Sequence, residues 1–192
     1  MMTCFLFLLL STLNLESSTR ANQLQAKTAQ TPMLSVSIAV PEDSGKRVIS
    51  LSTADPHFDV VIRNISRQPL DFAAETNSLG YDTLHLELLS IDSKPFSPPT
   101  IVQRSVMSWE SNVKNVVTLE PGDVMVRELH FTKDNSFFGI PYQNFPQMQA
   151  GEVHKIRMRA VFEVTSNGPP SRFWTGKISS DTKDYLVEQY SP

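Results

Sequence analysis

The stretch HKIRMRAVFEV, from His154 to Val164, decides the fold class. Ile156, Met158, Ala160, Phe162 and Val164 recur at every second position, and Lys155, Arg157, Arg159 and Glu163 stand between them. A period of two is that of a strand, whose successive side chains leave on opposite faces, and no helix would bring those five apolar residues onto one side. The stretch is therefore expected to be a long strand with its apolar set turned to a core and Arg157 and Arg159 turned to solvent. A one-residue slip in pairing would invert every side chain, so the pattern also selects the register.

Outward from this strand the same design recurs. Leu34, Val36, Ile38 and Val40 alternate with small residues until Pro41, and FDVVIRNI (Phe58 to Ile65) runs into a turn that ends at Pro69. Thr83 to Ile91 places Leu84, Leu86 and Leu88 on one face and His85 and Glu87 on the other. Shorter runs lie at Val48 to Ser52, Leu70 to Ala74, Phe173 to Ser179 and Tyr185 to Gln189. Val113 to Leu119 and Val124 to Phe131 flank Glu120-Pro121-Gly122-Asp123, whose Pro-Gly pair predicts a tight turn and hence a hairpin. SKPFSPPT (Ser93 to Thr100) holds three prolines and is expected to be loop, and Thr132 to Gly151 is the one connection longer than a turn. No stretch carries the period of an amphipathic helix. About eight or nine short strands divided by turn signals imply an all-β, antiparallel sandwich or barrel.

Composition agrees with a folded domain. Of 192 residues 40% are hydrophobic and 19% charged, which is enough apolar material for one core of ordinary size, expected over residues 33–192. A net charge of −3 without any basic cluster lacks the electrostatic footprint of a nucleic-acid or anionic-lipid ligand. At the N-terminus, Phe5 to Leu15 is apolar, Glu16 to Arg20 is polar, and Thr19 and Ala21 form a small-residue cleavage site. The apolar run is about half of the roughly 20 residues a spanning helix needs, so a signal peptide over 1–21 is expected rather than a stable membrane anchor. Residues 22–32 are polar and aperiodic and read as a flexible leader. The single cysteine, Cys4, falls inside the signal segment, so a mature chain from Asn22 has no thiol and no disulfide. That suits export to a bacterial periplasm or secretion.

At these residues the chain resembles bacterial exported immunoglobulin-like β-sandwich domains, similar to the intracellular proteinase inhibitor family. FDVVIRNISRQPLDF (Phe58 to Phe72), NSLGYDTLHLEL (Asn77 to Leu88), TLEPGD (Thr118 to Asp123), AGEVHKIRMRAVFEV (Ala150 to Val164) and FWTGKISS (Phe173 to Ser180) carry the resemblance. It implies an immunoglobulin-like antiparallel β-sandwich, while such sandwiches host many unrelated functions. One departure is His154, which stands where sandwiches of this kind often place the tyrosine corner. Its imidazole is expected to donate to the same backbone carbonyl.

Residues that could carry chemistry are scattered. His57, His85, His130 and His154 occupy separate strands without His-x-His or HExxH spacing, so no metal site and no cofactor are expected. Ser111 to Lys114 matches Ser-x-x-Lys but precedes an alternating run instead of opening a helix. Asp181 and Asp184 read as solubilising charges near a strand edge. No catalytic residue is assigned, and the chain is read as a non-enzyme. Asn64-Ile65-Ser66 is formally a glycosylation sequon, but Asn64 and Ser66 are expected to serve the turn between two strands. Trp174 is expected to pack on the sheet, and Trp109 is less constrained.

The remaining candidate is the Thr132 to Gly151 connection, which holds Phe137, Phe138, Ile140, Tyr142, Phe145 and Met148. Loops on sandwiches often carry binding, and Phe137, Phe138 and Tyr142 are the candidate binding residues. The competing expectation is that the rings of this segment fold back and close one end of the core. The functional expectation is a non-catalytic exported module that binds a protein or cell-envelope partner; the alternative is a proteinase inhibitor acting through a presented loop.

Overall fold

The structure, a computed structural model, describes residues 33–42, 47–51, 57–76, 78–104, 115–132, 139–141, 145–146, 148–149, 151–165 and 173–189. The candidates Phe137, Phe138 and Tyr142, the segments 1–21 and 22–32, Trp109 and the Ser111 to Lys114 string lie outside the described residues. Among the described residues there are twelve strands and one helical turn: β1 Leu34–Ala39, β2 Val48–Ser50, β3 Phe58–Asn64, β4 Leu70–Ala73, α1 Ser78–Tyr81, β5 Leu84–Ile91, β6 Lys94–Gln103, β7 Val116–Leu119, β8 Val124–Thr132, β9 Gly139–Pro141, β10 Val153–Val164, β11 Gly176–Ser179 and β12 Lys183–Glu188. Among the described residues no helix is long and apolar enough to cross a membrane.

The strands form a four-stranded sheet in the order β1-β3-β8-β9 and a six-stranded sheet in the order β2-β12-β10-β5-β6, with β11 also on β10; β4 and β7 pair separately. Pairing is antiparallel except for β2 with β12 and β8 with β9. Inward side chains of both larger sheets belong to one hydrophobic cluster. The fold is all-β with antiparallel sheets, and β10 is its centre. Ile156, Met158, Ala160 and Phe162 are at most 1% exposed and Val164 9%, whereas Arg157 is exposed and Arg159 half-buried, in the register the alternation dictates.

Three expectations fail for identifiable reasons. The proline-rich Ser93 to Thr100 segment enters strand β6 instead of forming a loop. A strand at the sheet edge needs hydrogen bonds on one side only, which tolerates proline, and a register shift sets Leu89 opposite Phe96 to Pro99. The Glu120 to Asp123 turn is present, with Asp123 N–H donating to Glu120 O at 2.9 Å and Gly122 at φ +92°, but it joins no hairpin. Instead β7 pairs with β4 and β8 with β3, so the turn carries the chain from one sheet to another. Third, His154 makes no tyrosine-corner bond to a carbonyl. Its Nδ1 lies 2.7 Å from the carboxylate of Asp92, whose other oxygen accepts from Lys155 N–H at 2.9 Å. Asp92 and Ser93, both at positive φ, form the two-residue turn between β5 and β6, and the bond docks that turn on the start of β10. The strands β6 and β9, which none of the runs read from the sequence covers, lie where alternation is lost to proline or is too short to read.

Candidate functional site

Asn64 shows how the turns that frame the candidate sites are held. It is fully buried at the end of β3, and its Nδ2 donates to Gln68 O at 2.8 Å and Leu119 O at 2.9 Å. Its Oδ1 accepts from Ser66 N–H at 2.9 Å and Ser66 Oγ–H at 2.7 Å. The backbone N–H of Asn64 donates to Asp123 O, and its carbonyl accepts from Gly122 N–H. One amide thus ties three segments together, and the turn role expected of Asn64 and Ser66 is what the structure shows.

At one end of the core a charged cluster is enclosed by apolar packing. Gly80 of α1 lies against β4 so closely that a Cβ there would sit 2.2 Å from Ala74 O, and only glycine permits this approach. The contact brings Tyr81 and Glu75 together. Arg104 follows directly after β6, and Arg127 projects inward from β8 between Met125 and Leu129. Glu75 bridges the two arginines, one carboxylate oxygen to Nη1 of Arg104 and the other to Nη1 of Arg127. Arg104 Nη2 donates to Tyr81 O at 2.5 Å, and its guanidinium lies 4.1 Å over the Tyr81 ring. Burial pulls the pKa of Arg127 below its usual value, against the opposing pull of Glu75. Sequence reasoning missed this cluster, although a signal was there. Arg127 shares the inward parity of Met125, Leu129 and Phe131, and Arg104 that of Val102.

The two larger sheets present very different outward faces. On the six-stranded sheet, Arg159 Nε and Nη2 bond Glu87 at 2.7 and 2.6 Å, Lys177 reaches Glu163 at 3.3 Å, and Lys155 reaches Asp184 at 2.8 Å. His85 lies 3.7 Å from Glu87, and its burial lowers the imidazole pKa. Burial pushes the Glu87 carboxyl upward, but the Arg159 hydrogen bond and charge outweigh it, so the net shift is downward. On the four-stranded sheet the outward rows are Ala39, Asp59, Glu128; Ser37, Val61, Val126; and Ser35, Arg63, Val124. Its middle row holds no charge, Val126 is 52% exposed, and Ile65 just beyond β3 is 48% exposed.

The described part of the Thr132 to Gly151 connection turns inward. Ile140 and Phe145 are buried, the Phe145 ring meets Phe131 edge-on at 4.8 Å, and Met148 packs against the core. These three residues pack into the core, while Phe137, Phe138 and Tyr142, which the two expectations concern most, lie outside the described residues. Trp174 stacks on Phe162 at 5.7 Å, in the sheet-packing role expected. Among the described residues no three His, Cys, Asp or Glu side chains gather around a point where a metal ion could be held. Asp184 is engaged by Lys155, which holds its carboxyl below the usual range. No protein family matches the chain, and no curated protein and no solved structure is similar to it.

Proposed function

We propose that the chain is an immunoglobulin-like β-sandwich exported to a bacterial periplasm or beyond the cell, where it acts as a non-catalytic module that docks a protein partner of the cell envelope. The observation that carries this reading is the contrast between the two outward faces. One is laced with ion pairs, as a solvated face should be. The other has an uncharged middle row, with Asp59 and Glu128, the latter 3.9 Å from His57, at one end and Arg63 at the other. Partner surfaces are depleted of charge at their centre and polar at the rim, and that is the arrangement here. Charge complementarity specifies the occupant: a flat protein surface with a base opposite Asp59 and Glu128 and an acid opposite Arg63.

The test is capture from a cell-envelope fraction by the mature chain and by two surface variants. Val126→Lys, on the uncharged row, should lose the captured protein with little change in Tm. Arg157→Glu, on the opposite face, should retain it. Equal capture by both variants would sink the docking face, and stoichiometric inhibition of a secreted protease would replace this reading with that of an inhibitor.

A further inference from the structure

The outward face of the six-stranded sheet is interrupted where two ladders slip at one residue. The β10–β5 register shifts between Arg157 and Met158 and the β5–β6 register between Leu88 and Ser90, which leaves Leu89 as an extra residue on β5. Bulges re-aim side chains and are over-represented beside functional sites. Next to this one, Pro95, Ser90, Arg157 and Asp184 form a single row across β6, β5, β10 and β12. A recess of about 470 Å³ lies here, within the range of small-molecule sites, about 300–1,000 Å³. Leu89 and Pro95 give it an apolar wall, and Ser90 and Ser93 bring hydroxyls to it. Lys155 and Arg157 line it against the one carboxylate of Asp184, so the lining carries one excess positive charge. Asp184 stands opposite Arg157 in the ladder but gives its carboxylate to Lys155 at 2.8 Å. Arg157 is exposed, and its guanidinium has no ion-pair or hydrogen-bond partner among the described residues.

We propose that this recess binds a small organic acid, with Arg157 taking the carboxylate and Leu89 and Pro95 covering its apolar body. A free guanidinium presents a planar fork of donors that fits a carboxylate two-to-two. The Lys155 ammonium, held in place by Asp184, adds a second cation, and the Ser90 and Ser93 hydroxyls are available to a polar group on the ligand. The apolar wall distinguishes such an acid from a bare inorganic anion, for which Leu89 and Pro95 would do nothing. The recess lies on the face opposite the uncharged docking row, so protein capture and acid binding can fail separately.

The experiment is an amide NMR titration of the isotope-labelled protein with N-acetyl-leucine and, separately, with N-acetyl-leucinamide, which has the same apolar body without the charge. The acid should give saturable shifts at Leu89, Ser90, Ser93 and Arg157 with a Kd on the order of a millimolar, as one solvent-exposed ion pair with a small apolar contact allows. The amide should give none, and added sodium chloride should weaken the acid by screening. Arg157→Gln, at an exposed position, should keep the spectrum of the fold and weaken the acid by roughly tenfold or more. Asp184→Asn removes the competing carboxylate and should tighten it. The proposal is overturned if the acid gives no saturable shift at these residues or the amide binds equally well. It is equally overturned if Arg157→Gln leaves the affinity unchanged, if Asp184→Asn fails to raise it, or if inorganic phosphate matches the acid at the same residues.

Discussion

Replacing Asn64 tests the turn network most directly, because each atom of its side-chain amide has a named partner. In Asn64→Ala the Leu119 carbonyl and the Ser66 N–H lose their partners, while Gln68 O keeps the Ser66 hydroxyl as a donor at 2.9 Å. Each buried or half-buried group left unpaired costs about 1–3 kcal/mol, so the loss should be about 3–4 kcal/mol, a large part of a net stability of about 5–15 kcal/mol. For a domain of this size that corresponds to a fall in Tm of roughly 6–16 °C. Asn64→Asp is nearly isosteric and still accepts from Ser66, but it turns lone pairs toward the carbonyls of Gln68 and Leu119. At pH 7 it should therefore be worse than Asn64→Ala, since a buried carboxylate also faces desolvation. Near pH 4.5 protonation restores one donor, and the order of the two variants should close or reverse. Urea melts of both variants, each referred to the unaltered protein at the same pH, provide the assay. If Asn64→Ala lies within about 0.5 kcal/mol of the parent, or Asn64→Asp is no worse than Asn64→Ala at pH 7, the amide is not the tie described here.

Phe162→Ala should cost about 3–5 kcal/mol by denaturant melts, since its ring is 1% exposed and packs on Phe72 and Trp174, whereas exposed Arg157→Ala should cost under about 0.5 kcal/mol; equal effects would mean the face of β10 is misassigned. Glu75→Gln, which leaves two buried guanidinium groups without a counter-charge, should cost about 3–5 kcal/mol in the same assay, and a neutral outcome would mean the cluster is solvated. Acidification should lower stability in two stages. The depressed pKa of His85 means the unfolded chain takes up its proton first as pH falls through 6.5, and the depressed Glu87 does the same below 4.5. Urea midpoints should therefore decline from pH 7 to pH 4 and beyond, His85→Gln should flatten the upper stage and Glu87→Gln the lower, and a stability maximum near pH 4 would contradict the assignment. Mass spectrometry of the cell-produced protein should find a chain beginning near Asn22, and an intact Met1 in the soluble cytoplasmic fraction would refute export.

The sequence by itself determined what is local and periodic. The alternation of Ile156 to Val164 specified strand, face and register, because a period of two has only one inward set. Turn residues were equally legible: Pro121-Gly122 makes its turn, and Asn64 with Ser66 bonds nearby backbone, all within a few residues. Partnership was decided only by tertiary structure. Nothing in Glu120 to Asp123 tells whether β8 returns to β7 or crosses to β3, since that depends on where β4 and β3 already lie. Prolines in β6 become tolerable only once the strand is placed at an edge. The Arg104, Glu75 and Arg127 cluster is the clearest case. Each residue is an ordinary charged side chain in its own segment, and only packing the two sheets over one core brings them together. The inward parities of Arg127 in β8 and of Arg104 after Val102 were the traces that this assembly left in the linear chain.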